Sequence, residues 1–146
     1  MAHVIVEVTS PISSAIGDGA AVLRQIHSAL EGVSGLHAED FKGRIVVVDE
    51  FSVGTAPATG DGFVAIEVQT FAGKTSDDLD LIVDLVLAVA TDAFAVHAHP
   101  GRLDVSVRVT ELDRRHYGRT RSAAWPDRQR DNPDSPDNPE NTSRSR

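Results

Sequence analysis

Apolar positions in this chain fall into two successive runs of one design. Val4-Ile5-Val6-Glu7-Val8 leads into a helical stretch and then Ile45-Val46-Val47-Val48. Phe63-Val64-Ala65-Ile66-Glu67-Val68 leads into another helical stretch and then Val105-Ser106-Val107-Arg108-Val109. Each run reads strand, helix, strand over roughly fifty residues, about what a crossover between parallel strands requires. The pattern predicts an α/β (α+β) fold: duplicated β-α-β units forming a four-stranded sheet, with two helices on one face and a pseudo-twofold axis between the halves.

Helical periodicity marks the crossovers. Ile16, Leu23, Ile26, Leu30 and Val33 make one apolar stripe, and the first helix is expected from Ser14 to about Gly32. The second opens at Thr75-Ser76-Asp77-Asp78, a cap followed by first-turn acids suited to the positive end of the helix dipole. Its stripe is Leu79, Ile82, Val83, Val86, Ala90 and Phe94, and it ends near His97-Ala98-His99-Pro100-Gly101. Gly54 to Gly62, with Pro57, joins the halves.

Two helices cover one face of a four-stranded sheet, yet Ile45 to Val48 is apolar at every position and Phe63 to Val68 nearly so. Such strands are usually buried on both sides. A bare apolar face would exceed what soluble monomers carry, so a closed homo-oligomer is expected. The alternative is that the extra valines serve strand propensity alone.

Composition changes after Leu112, where Asn-Pro and Ser-Pro steps replace aliphatic residues. A stretch like this cannot bury enough apolar surface to offset its ordering entropy, and 118–146 is expected to be a disordered tail behind a domain at 1–117. From Asp113 onward lie eight of the 14 Lys and Arg residues and six of the 22 acids, leaving six cations against 16 acids before it, a net of −10. So acidic a body argues against nucleic acid, whose binding relies on phosphate neutralisation by Lys and Arg. The Arg-rich tail around Trp125 could dock on this body or on another protein, but the simpler expectation is that it is solvated. There is no cysteine, no apolar run long enough to span a bilayer and no signal-peptide pattern, which points to a cytoplasmic protein without a membrane partner.

Candidate chemistry begins at the first residues. Ala2 is small enough for Met1 to be removed, which would leave a free amine at the start of a strand expected to be buried. An α-amino group titrates near 7.7–8.0, and burial or nearby cations lower it toward the range of a general base. The body's six cations are Arg24, Lys42, Arg44, Lys74, Arg102 and Arg108. If a strand begins at Phe41, Lys42 and Arg44 project from one face. Lys74 precedes a helix N-terminus, itself favourable to anions. These three cations form either an anion-seeking pocket or a set of solubilising side chains. His3 either tunes the amine and orients a ligand or is a histidine satisfied at a strand start. His97 and His99 have no carboxylate at ligand spacing, so no metal is expected. Glu7 and Glu67 interrupt apolar strands at the same place in the two halves, and solvent-facing positions explain them most simply.

These residues resemble the tautomerase superfamily, and within it the 5-carboxymethyl-2-hydroxymuconate isomerase branch. Ala2-His3-Val4-Ile5-Val6-Glu7 stands where that branch begins Met-Pro-His and an apolar strand. The likeness continues through Arg44 to Phe51, Phe63 to Val68 with Ala72-Gly73-Lys74-Thr75-Ser76, and Val107 to Asp113, reaching about Tyr117. The resemblance implies a trimer and a cofactor-independent enzyme without a metal. Its N-terminal proline amine would move a proton between two carbons of an unsaturated 2-keto or 2-hydroxy acid, as in aromatic breakdown. Cationic side chains would hold the substrate carboxylates. Carried over residue by residue, the base falls on Ala2 and the enolate-stabilising cation on Lys74. Carboxylate binding falls on Lys42 and Arg44, with His3 beside them. Alanine replaces the proline, and lysine at 42 and 74 replaces arginine, losing the fork that grips a carboxylate. Two functions stay open: such an isomerase, or a tautomerase-fold oligomer that binds small carboxylates without catalysis.

Overall fold

The computed structural model describes residues 1–55, 60–95 and 101–122. The body spans Met1–Leu112, and a second unit begins at Asp113. The strands are β1 (Ala2–Thr9), β2 (Lys42–Val48), β3 (Gly62–Phe71) and β4 (Leu103–Leu112), in the order β2-β1-β3-β4. β1 and β2 are parallel, as are β3 and β4, while the central pair β1 and β3 is antiparallel. Two crossover units therefore meet back to back, as the repeated pattern predicts.

Strand alternation divides the sheet cleanly. Val4, Val6 and Val8 register with Val68, Ile66 and Val64, and those with Val109, Val107 and Val105. On β2 the same layer holds Gly43, Ile45 and Val47. This is the helix-covered face, and the residues on the two central strands are fully buried or nearly so. Burying each such side chain contributes about 1.5–3 kcal/mol.

The expected first helix, Ser14 to Gly32, is corrected to two: α1 (Ser10–Ile16) and α2 (Gly19–Leu30). Gly17 at φ 70° turns the chain out of helical geometry, and the Asp18 carboxylate then accepts from the Ala21 N–H at 3.2 Å to cap α2. Val33 is buried as the stripe requires, but from the turns beyond α2. The second-half helix, α3 (Ser76–Ala95), is unbroken, with the Thr75 hydroxyl accepting from the Asp78 N–H at 3.1 Å. Ile82, Val86, Ala90 and Phe94, four apart, form its buried stripe. The expected loop 54–62 and the His97–His99 stretch lie partly or wholly outside the described residues, as does the tail from 123.

β2 is an edge strand. Val46 is 40% and Val47 48% exposed, so the expectation of burial on both sides is not met within one copy. In the second unit the Asp113 carboxylate accepts from the Arg115 N–H at 2.9 Å and caps a short 3-10 turn, Arg114–His116. Among the described residues no helix is long and apolar enough to cross a membrane.

Candidate functional site

The uncovered face of the sheet carries the polar chemistry. In its first row Lys42 lies beside His3, and His3 beside Gln69, with Thr110 next. The second row runs Arg44, Ile5, Glu67, Arg108, and the third Val46, Glu7, Ala65, Ser106. Lys42 and Arg44 do project from one face, two residues apart, and both are exposed at the edge. Neither side chain makes an ion pair or hydrogen bond among the described residues.

Three of the residues singled out in the sequence come together here with the chain's amino terminus. Burial lowers the His3 pKa from its usual 6.5, and the charges of Lys42, Arg44 and the terminal amine lower it further. His3 is thus a neutral imidazole in a positive field, and its Nε2 is buried without a hydrogen-bond partner. A neutral imidazole can accept from a ligand hydroxyl, and the two cations can meet its carboxylate. Ala2 is fully buried, and Met1 is 6% exposed at the start of the same strand.

Lys74 is placed differently. Its Nζ donates to the Ser34 carbonyl at 2.8 Å, in the turns that follow α2. Ala2 registers with Thr70, four residues before Lys74. Arg102 is clamped by Asp61, with Nε and Nη2 donating to Oδ2 at 3.2 and 3.1 Å. Among the described residues no three His, Asp or Glu side chains come together as a metal ion would need.

Other polar features here were not legible as such in the sequence. Arg108 donates to Glu67 Oε2 through Nη2 at 2.6 Å and Nε at 3.2 Å, and Gln69 Nε2 donates to Oε1 at 2.9 Å. Hydrogen bonds from Gln69 and Arg108 hold the Glu67 carboxyl below its usual range. Glu67 is therefore a half-buried network member, whereas Glu7 is exposed as expected. Strand register brings Arg108 to it, while Gln69 shares its face by alternation along β3. On the opposite face, a groove of about 450 Å³ lies between β2 and the α1–α2 elbow, lined by Ile16, Gly19, Ala20, Leu23, Ile45 and Val47 among others. Beside it His27 packs edge-on against Phe41 with ring centres 5.3 Å apart, its Nε2 unpartnered and its pKa lowered by burial.

No protein-family model matches the chain, and no curated protein does. Solved structures do. A 5-carboxymethyl-2-hydroxymuconate isomerase from Deinococcus radiodurans R1 is similar at a TM-score of 0.73 and 19% identity, over 83% of this chain and 90% of that one. A 5-carboxymethyl-2-hydroxymuconate delta-isomerase follows at 0.64 and 13%, over 84% and 89%. A fused 4-OT described as a symmetric trimer gives 0.62 and 13%, over 85% and 94%. The chain shares the tautomerase fold of these proteins.

Proposed function

We propose that this protein is a tautomerase-superfamily isomerase that moves a proton between carbons of an unsaturated 2-keto or 2-hydroxy acid without a cofactor, in the manner of 5-carboxymethyl-2-hydroxymuconate isomerase. The observation that carries this reading is the meeting of His3, Lys42 and Arg44 with the amino terminus at one end of β1. With Met1 removed, the Ala2 amine is the base. It takes a proton from the carbon next to the keto group, leaving a dienolate, and returns it at a more distant carbon. Lys42 and Arg44 hold the substrate carboxylate, and His3 accepts from its hydroxyl. Lys74 neutralises the developing enolate charge, which requires it to leave the Ser34 carbonyl when substrate binds. A primary amine in place of proline predicts slower chemistry than in proline-bearing relatives. The working unit is a closed homo-oligomer, a trimer, that covers the uncovered face of the sheet.

One observation favours the second reading, a carboxylate-binding oligomer without catalysis: Met1 and Ala2 are both packed out of solvent. The test is turnover of a panel of small enolisable keto acids by wild type and Ala2→Pro. Activity in wild type, raised by proline, supports the isomerase. Inactivity of both across the panel leaves binding as the function.

A further inference from the structure

The groove on the helix-covered side of the sheet is separate from the chemistry at the end of β1. Its volume of about 450 Å³ is that of a small-molecule pocket, and it lies where the α1–α2 elbow meets β2. Ile16, Leu23, Ile45 and Val47 give it apolar walls. Among the described residues Arg44 is the charged one that borders it, and strand alternation turns that side chain to the opposite face, beside Ile5. Two glycines keep the space open. A Cβ on Gly19 would run into Ile45 Cδ1, and one on Gly43 would stand 2.9 Å from both Leu23 Cδ2 and His27 Nε2. Side chains at these two lining positions would crowd the groove.

A polar atom waits at its inner end. Leu23 and His27 are one turn apart on α2, and both lie over Gly43. Phe41 meets the imidazole edge-on, with ring centres 5.3 Å apart, and holds the plane of the ring. The His27 Nε2 is buried and has no hydrogen-bond partner among the described residues. A buried polar atom left unpaired costs stability, so its presence beside an apolar groove asks for a reason. Burial lowers the pKa of this ring, which keeps it neutral and able to accept a hydrogen bond.

We propose that this groove is a second binding site, for a small neutral molecule made of an apolar ring and one hydroxyl. The ring lies against Ile16, Leu23, Ile45 and Val47, and the hydroxyl donates to His27 Nε2. An ionic ligand would lose its hydration to walls that offer no opposite charge. A purely apolar ligand would leave the nitrogen unpaired. To admit the hydroxyl, the Leu23 and His27 side chains part over Gly43, where no side chain stands in the way. The site is on the other side of the sheet from His3, Lys42 and Arg44, so it goes beyond the isomerase reading and does not depend on it.

The test is a titration of the full chain, labelled for nitrogen NMR, with para-cresol and with toluene at neutral pH. para-Cresol is expected to shift the amides of Gly19, Ala20 and Gly43 together with the ring nitrogens of His27. The ratio of para-cresol affinity to toluene affinity should fall about fivefold or more in His27→Leu, which keeps the apolar contact and removes the acceptor. Ala20→Phe adds a ring at an exposed lining position of α2 and should abolish binding of both ligands, with circular dichroism showing that the chain is folded. No binding by wild type, or shifts confined to residues around His3, overturns the site. An unchanged affinity ratio in His27→Leu overturns it as well. Should His27→Leu fail to fold, wild-type ring nitrogens that para-cresol leaves unmoved, or full binding by Ala20→Phe, overturn it equally.

Discussion

The two halves of this molecule share one plan, and their differences locate its chemistry. On the uncovered face, the first half sets Lys42 beside His3 and Arg44 beside Ile5. At the matching levels the second half sets Asp104 beside Phe63 and Ser106 beside Ala65. Glu7 and Glu67 hold equivalent places, yet Glu7 neighbours Val46 while Glu67 is locked to Arg108 at 2.6 Å. The second half has thus neutralised its strand cation, and the first half has left two unpaired. The helices differ in the same sense. α3 is continuous over Ser76–Ala95, whereas the first crossover breaks at Gly17-Asp18 and folds an elbow over the edge of β2. The two halves thus differ in charge: the second holds its strand cation in an ion pair, and the first leaves two cations unpaired among the described residues.

That contrast can be broken first in the second half. Phe94 is 1% exposed at the end of the α3 stripe. Phe94→Ala should cost about 3–5 kcal/mol, read by denaturant unfolding, while Leu87→Ala on the outer side of α3 should cost less than about 0.5 kcal/mol.

In the first half, Gly43 is a crowded point. A Cβ there would stand 2.9 Å from both His27 Nε2 and Leu23 Cδ2, so those side chains must shift to admit it. Gly43→Ala should cost about 1–3 kcal/mol. Adding His27→Ala should recover part of that loss in a double-mutant cycle, since the two changes share one contact.

The unpaired and paired cations should separate in ligand binding. Removing a charge-assisted hydrogen bond costs about 1.5–3 kcal/mol, roughly tenfold or more in affinity. Arg44→Ala should weaken binding of a small keto acid by that factor in calorimetry, and Arg108→Ala should leave it within about twofold.

The smallest effect is on pH dependence. His27 and His3 have folded pKa values below 6.5, so the unfolded chain takes up protons first as pH falls. Stability is therefore full above about pH 6.5 and declines as pH drops below it. His27→Leu removes a buried nitrogen without a partner and should flatten this decline, read from melting temperatures at pH 7.5 and 5.0. The slope that remains belongs in part to His3. Glu67 acts lower: its carboxyl is depressed, so its contribution is present above the ordinary carboxylate range and is lost only as pH falls through its own value.

Much of this was legible in the sequence. Apolar runs, continuous in β2 and alternating in β4, marked all four strands, and the stripe Ile82, Val86, Ala90, Phe94 marked α3, because burial shapes both patterns. The elbow at Gly17-Asp18 was missed because Ile16 and Leu23 fit a single helical stripe, although a glycine followed by an N-capping aspartate was a signal that could have been read. Lys42 and Arg44 could be placed on one face from alternation alone. The tie between Glu67 and Arg108 could not, since it depends on which residues of β3 and β4 stand side by side, and register is a property of the assembled sheet. His27 over Gly43 belongs to the same class, a contact between a helix and a strand whose spacing no local pattern encodes.

The central claim is that the first half's cationic end of β1 removes a proton from carbon beside a keto group. Proton NMR in deuterated buffer measures this directly, as loss of the signal from that carbon of a small 2-keto acid. The account predicts exchange catalysed by the Met1-free wild type, rising with pH as the Ala2 amine loses its proton. It predicts exchange abolished by acetylating that amine, reduced at least about tenfold by Arg44→Ala and unchanged by Arg108→Ala. Exchange that is equal in the acetylated and free proteins, or equally reduced by both arginine changes, would contradict it.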